Sequence, residues 1–460
     1  MRRLAVLLAM LGLAAAPAGA SAFSPGAAGL GDPFFPEQGN GGYDAQHYVL
    51  AIDYKPAGTL TGSAIITAKA TQALSAFNLD LRDMYTVRRV TVNARLATFA
   101  HTGQELTITP AAGIASGKTF VVTVEYAGVP EPVVDPDESF EGWIPTPDGA
   151  YVVGEPQGSP GWYPVNDTPK DKATYTVAIS VPKGATAVAN GKLVSKLTSG
   201  RKTTWIWHED RPMASYLATA TNGQFRFWKT TGPKGIPIYN AVDTSFSPER
   251  QAAADTVLAK QGDIIAFFSS QFGPYPYTSA GAIVDDAAFV GYALESQTKA
   301  NYSAVPSEGT VAHEIAHQWW GNSVTLSTWP DIWLNEGFAT WSEWLWTEHA
   351  GGATTQARFD TLYARAPTSS IWNPPVAGLT DPVDLFASST YQKGAMTLQA
   401  LKVKVGDAAF SAILRAWFVQ GTVATVATPQ FIALAEQISG QELSAFFDVW
   451  LYQGGKPVSW

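Results

Sequence analysis

The hydrophobic period changes once along this chain, near residue 245. From about residue 43 to 230 it is close to two. "HYVLAIDY", "GSAIITAKA", "AFNLDL", "TVRRVTVNA", "ELTITP", "KTFVVTVEYA", "ATYTVAISVP" and "TTWIWHE" are short runs rich in Val, Ile, Thr and Tyr, and Gly, Pro, Asn or Asp separates many of them. Period two suits strands that bury one face, so this part reads as an antiparallel β domain. Beyond residue 245 the spacing becomes helical. "FSPERQAAADTVLAKQGDIIAFFSSQFG" opens on Ser-Pro-Glu, a helix start signal, and "SAGAIVDDAAFVGYALESQT" is a β-type stretch interrupted by glycine. Helical segments follow around 308–321, 335–349, 389–405, 407–420 and 428–438, and "ELSAFFDVWLYQGGKP" closes on a Gly-Gly-Lys-Pro stop. This part reads as α+β, dominated by helices.

The expected organisation is a signal peptide over 1–22, an extended lead-in over 23–42, the β domain over 43–240 and the helical domain over 241–460. "MRR" followed by the apolar run of residues 4–16 and the small residues of "APAGASA" matches an export signal, with cleavage near Ala20 or Ala22. An uncleaved anchor is the alternative. No other apolar run is long enough to cross a membrane. The chain has no cysteine, which excludes disulfides and fits an exported bacterial protein, secreted or periplasmic. The formal net charge is −9 with no basic cluster, which argues against nucleic acid and anionic membrane as partners. Nothing sets the oligomeric state; a monomer is expected.

The chemistry concentrates in "TVAHEIAHQWWGN". His313 and His317 stand four apart, so on a helix both imidazoles leave one face. Two imidazoles suit zinc, and a catalytic zinc takes three protein ligands and keeps one position open. Glu314 can reach a water at such a metal and act as general base. Two satisfied histidines on a buried helix would be the plainer reading. Glu336 follows 19 residues after His317, at the start of a second amphipathic run, and a return loop would bring it over the first helix as third ligand. Asn335 stands beside it. Glu343 falls on the same helical face, either hydrogen-bonded to a ligand histidine or solvated. The tryptophans at 319, 320, 333, 341, 344 and 346 read as packing around these helices.

"HEIAHQWWGN" with "WLNEGFA" resembles the gluzincin aminopeptidases of peptidase family M1, the aminopeptidase N and leukotriene hydrolase type. "EPQGSPGWYPVNDTPKDKATYTVAISVP", "FGPYPY", "YQKGA" and "FFDVWLYQGGKP" resemble family landmarks in the expected order, and "DPFFPEQGNGGYD" looks like the start of bacterial members. The resemblance implies a saddle-like N-terminal antiparallel β domain followed by a thermolysin-like α+β catalytic domain. It implies one zinc ion held by His313, His317 and Glu336, with Glu314 as base. Glu295 and Ala293 fall in the family's exopeptidase motif, usually Gly-Ala-Met-Glu-Asn. Here Tyr292 stands at its glycine, Leu294 at its methionine and Ser296 at its asparagine. The glutamate of that motif grips the free α-amino group of the substrate, a charge-assisted pairing that only an N-terminal residue offers. Tyr391 in "TYQKGA" matches the tyrosine that donates to the oxyanion. Glu155 and Gln157 in "GEPQG" match residues lining the first specificity pocket. Many members continue with a β-sandwich and a helical domain that roofs the site; none is expected here, so a more open site is.

The function expected from these residues is removal of the N-terminal residue from peptides with a free N-terminus. A thermolysin-like endopeptidase is the first alternative. A peptide-binding protein with a relict site is the second, against which the base and the oxyanion donor argue.

Overall fold

The strand Tyr43–Tyr54 lies at the centre of the first domain. It pairs antiparallel with Leu60–Ala70 on one side and parallel with Ala173–Pro182 on the other. The computed structural model of the chain describes residues 22–56, 58–422 and 424–458. The expected signal peptide, up to residue 21, lies outside the described residues. The sheet runs in the order 192–199, 202–213, 173–182, 43–54, 60–70, 119–128, 85–92 and 95–96. Its alternation is the one read from the sequence. In Leu60–Ala70 the side chains of Leu60, Ala64, Ile66, Ala68 and Ala70 are buried while Thr61, Ile65 and Lys69 are exposed. The strands Leu74–Asp80, Thr98–Thr102 and Glu105–Thr109 form a second sheet that joins the same core through Phe77, Leu79, Leu106 and Ile108.

A third sheet contains the hairpin Phe140–Pro145 and Ala150–Val153, with Asn222–Gly223 and Thr186–Ala187 beyond it. The stretch "FEGWIPTPDGAYVV" lacks alternation because both faces of these strands are covered, and period two does not reveal such strands. The lead-in packs onto the second half. The Asp32 carboxylate accepts from the backbone N–H groups of Phe34, Phe35 and Trp329, and the Phe35 ring meets Trp329 edge-on.

The sheet of the second half starts at Phe225, ahead of the expected boundary at 240/241. Phe225–Thr231 pairs with Pro237–Asp243, followed by Ala280–Val284, Ala300–Tyr302 and the edge strand Ala293–Leu294. Phe225–Thr231 adjoins the period-two region of the first domain, and Pro237–Asp243 is covered on both faces, so period alone cannot assign them to the second sheet. The helices are α1 (Pro248–Leu258), α2 (Gln261–Phe272), α3 (Glu308–Ala316), α4 (Trp333–His349), α5 (Thr355–Tyr363), α6 (Ser388–Val405), α7 (Asp407–Gly421), α8 (Thr428–Ser439) and the short α9 (Ser444–Phe447). The helical stretch that opens on Ser-Pro-Glu breaks into α1 and α2 at Ala259 and Lys260. Helix α3 stops at Ala316, short of residue 321; the chain goes on in turns and passes through Gly321 at φ 112°. Helix α5 was not foreseen; its polar sequence carries little helical periodicity. The six tryptophans read as packing are all buried. None of the helices among the described residues is long and apolar enough to cross a membrane.

Helices α4 and α6 cross at a glycine contact. A methyl group on Gly337 would lie 3.0 Å from both Cα and the carbonyl carbon of Gly394. These helices carry Glu336 and Tyr391, so the close approach brings those two side chains to one cavity. Alanine in an unobstructed helix would gain about 1 kcal/mol over glycine. Here the clash wins: Gly337→Ala should destabilise by about 1–3 kcal/mol. It should lower the urea midpoint at constant m-value, and an unchanged or raised midpoint would refute the contact as the determinant of this crossing.

Candidate active site

Helix α3 is capped by Ser307, whose hydroxyl accepts from the backbone N–H of Thr310 at 3.0 Å. His313 lies in its last turn and His317 closes it. The His317 ring donates from Nδ1 to the Trp320 carbonyl at 3.0 Å, which leaves the Nε2 lone pair free for a metal. Glu336 sits in the first turn of α4, where the helix dipole favours a carboxylate. The three groups converge. Nε2 of His313 lies 3.0 Å from Nε2 of His317, and Glu336 Oε2 lies 3.2 and 3.4 Å from them. A tetrahedral zinc with bonds of about 2.0–2.1 Å sets its ligands roughly 3.3 Å apart, so the donor set fits that ion.

The electrostatics agree. Burial alone would raise the Glu336 carboxyl, yet the facing imidazoles hold it down to about 2. Burial alone would lower His317, yet Glu295 and Glu336 push it up to about 10. The pocket therefore demands positive charge at the point where the three donors meet.

A cavity of about 350 Å³ opens beside this point. Six carboxylates line it, those of Asp137, Glu155, Glu295, Glu314, Glu336 and Glu343, and its lining contains no Lys or Arg. Glu314 Oε2 is buried without a hydrogen-bond partner, and burial first, then Glu295 and Glu336, raise its pKa to about 8 against the pull of the histidines. Glu295 is buried, with Oε1 3.6 Å from Nδ1 of His317. Glu155, Glu295 and Glu336 bring oxygens within 4.8 Å of one another. Tyr391, near the start of α6, lies over His313 with ring centroids 6.1 Å apart. Burial and the carboxylates of Glu336 and Glu155 push its hydroxyl well above the usual range, so it remains a donor at neutral pH.

Comparison with known proteins now decides the family. The Peptidase M1 N-terminal domain matches residues 44–217 and the Peptidase family M1 domain matches residues 279–450. The chain belongs to peptidase family M1. It is 27% identical over 332 residues to aminopeptidase M1 of Arabidopsis thaliana and 28% identical over 329 residues to human glutamyl aminopeptidase. These alignments cover 67% and 66% of the chain, and 37% and 34% of the relatives. The chain thus spans about a third of the length of the curated relatives it matches. A crystal structure of an M1 zinc metallopeptidase from Deinococcus radiodurans, a mutant bound to a Tyr-Ser-Ala substrate, superposes with a TM-score of 0.83 at 29% identity. That match covers 94% of this chain and 98% of the other. A two-domain M1 zinc metallopeptidase bound to L-arginine gives 0.84 at 29% identity, covering 94% and 99%.

Not every residue singled out in this M1 chain reaches the cavity. Gln157 is turned away. Its Nε2 donates to Asp135 at 2.6 Å, and its Oε1 accepts from Arg82 at 2.9 Å and Gln38 at 3.1 Å. Buried Asp135 claims the amide donor, Glu141 accepts from the Gln157 backbone N–H at 3.1 and 3.2 Å, and only Glu155 of the pair lines the site. Asn335 also points elsewhere, donating to the Tyr216 hydroxyl at 3.4 Å. Ala293 lines the cavity from the edge strand. Tyr292, the departure from the glycine of the M1 motif, donates to the Phe140 carbonyl at 2.6 Å and ties this strand to the first domain. Asp137, Ser139, Thr310 and Phe386 also line the cavity and were not foreseen. The acidic stretch "DPDES" was the only sequence signal for the first two.

Glu343 stands with Oε2 3.8 Å from Nδ1 of His313, at the rim. Substituting the carboxylate partner of a ligand histidine costs about 10–100-fold in metal affinity, and Glu343→Gln should do so here. Competition with a chromogenic chelator measures this; an unchanged affinity would make Glu343 a solvated rim carboxylate.

Proposed function

We propose that this chain is a zinc-dependent aminopeptidase that removes the N-terminal residue from peptides with a free N-terminus. The observation that carries the reading is the buried Glu295 carboxylate, one residue layer from ligand His317 and facing the cavity that Glu314 and Tyr391 share. An ammonium group held there would bring the start of a peptide beside the three donors. The acidic lining without Lys or Arg supports a cationic terminus as the ligand. The M1 relatives support the reaction class.

Zinc held by His313, His317 and Glu336 would supply Lewis acidity, polarising the scissile carbonyl and lowering the pKa of water to about 7. The protein does the rest. Glu295 pairs with the α-ammonium and orients the substrate. Glu314 takes the proton of the attacking water and passes it to the departing amine nitrogen. Its isolation from other hydrogen-bond donors suits a base that must change protonation state in each cycle. The Tyr391 hydroxyl donates to the carbonyl oxygen as that atom gains charge.

Aminoacyl chromogenic substrates with and without an N-acetyl block test the reading directly. Free-amine substrates should be cleaved and acetylated ones should not, and chelator or Glu314→Gln should abolish turnover. Equal cleavage of both forms would make the chain an endopeptidase. Tyr391→Phe should lower kcat by about 10²–10³, as loss of one oxyanion donor does, with KM nearly unchanged. A fall in substrate affinity at constant kcat would remove Tyr391 from that role.

A further inference from the structure

Glu295 opens a five-residue link, residues 295–299, between the strands Ala293–Leu294 and Ala300–Tyr302. All five residues are buried and none lies in a helix or strand, so their backbone groups must find partners elsewhere. On one side the partners are amide side chains of the metal-ligand segment. The Glu295 carbonyl accepts from Gln318 Nε2 at 3.1 Å and from Asn322 Nδ2 at 2.8 Å. Gln318 Oε1 accepts from the Thr298 backbone N–H at 2.9 Å. A carbonyl only accepts and an N–H only donates, so a single orientation of the Gln318 amide satisfies both.

Gln318 directly follows ligand His317. The backbone N–H of Asn322 donates to the His317 carbonyl at 3.0 Å. Both amides are therefore registered to the same ligand. From the first domain, Lys172 Nζ donates to the carbonyls of Asn322 and Ser323 at 3.1 and 3.0 Å and holds that turn. The far end of the link is fastened to the first domain as well. Asn190 Nδ2 donates to the Gln297 carbonyl at 2.7 Å. Thr298 Oγ1 accepts from the Gly191 N–H at 2.7 Å and donates to Glu209 Oε2 at 3.2 Å. Thr298 sits at φ 63°, a left-handed conformation that β-branched residues rarely adopt. The link is held from both sides in a shape it would not take alone.

We infer that Gln318 and Asn322 are positioning residues whose amides fix the main chain of Glu295 relative to His317, and so set the span between the metal and the amine anchor. The inference rests on Glu295 as that anchor. Loss of either amide lets the link relax from the ligand segment, and the anchor then no longer registers the first peptide bond over the metal. Displacements of about 1 Å in a substrate-positioning group can cost 10²-fold.

A double-mutant cycle separates this from a merely structural role. Gln318→Met keeps the side-chain length and removes both bonds; Asn322→Asp keeps the shape and removes the donor. Each should raise KM for free-amine substrates about tenfold with a smaller change in kcat, and should shrink the discrimination against N-acetylated substrates by a similar factor. Zinc content should remain that of the parent. Combined with Glu295→Gln, the same substitutions should change KM less than about twofold, because the group they position is already gone. Equal factors in both backgrounds would overturn the inference. Gln318→Glu, which keeps the acceptor towards Thr298, replaces Gln318→Met if the latter does not fold. Should Glu295→Gln by itself leave the discrimination intact, the amine-anchor reading fails, and this failure is visible without either amide variant.

Discussion

Four buried carboxylates converge on one point between the two halves of this chain. Glu295, Glu314 and Glu336 lie within a few ångströms of His317, Glu155 lies as near to Glu295 and Glu336, and no lysine or arginine is among the described residues of the cavity lining. Burying unpaired charge is expensive, and burial is the largest influence on each of these carboxyls. Left to themselves, such groups would spread apart or take up protons. The rest of the architecture keeps them together. The glycine contact between α4 and α6, the turn through Gly321 and the fastened link 295–299 all remove freedom from the residues that carry these side chains. What the cluster then calls for is positive charge, which the proposed zinc and the α-ammonium of a peptide would bring.

The first domain is a working wall of this site. It supplies Asp137, Ser139 and Glu155 to the cavity. Its hydrophobic core takes in Leu326, Trp329, Ile332, Leu379 and Leu385 from the second half, and Tyr216 packs edge-on against Trp329. A core shared in this way leaves little play between the halves. That matters for a site whose carboxylates come from both.

How much of this was legible in the sequence depended on whether the information was local. His313 and His317 could be read because helix geometry puts them on one face; Glu314 followed from its place beside His313, and Glu336 from the return of a second helix. Most strands of the large sheet could be read because they bury one side; Lys192–Ser199, which has no buried residue, could not. Gln157 could not be assigned correctly, since its amide is claimed by Asp135, Arg82 and Gln38, partners more than twenty residues away that no local pattern reveals. The strands at 225–243 follow directly on the first domain and belong to the second sheet, because partner choice is decided in space. Asp137 and Phe386 reach the cavity through loop paths. The amide clamp on Glu295 lay in plain sight as the Gln and Asn of "HEIAHQWWGN", but its meaning appears only once the link 295–299 is folded against it.

The parallel pairing of Tyr43–Tyr54 with Ala173–Pro182 has a consequence for the order in which the chain can fold. The central strand of the first sheet has one neighbour at hand and waits for the other until the chain has reached residue 182. Non-local pairing of this kind is slow, since loop closure precedes its reward. The shared core extends the wait further, to residues 326–332 and 379–385. A nascent chain therefore carries an open sheet edge until residue 182 has been made and an uncovered apolar face until residues 379–385 follow. For this molecule the first domain is completed only by segments made well after its own last strand.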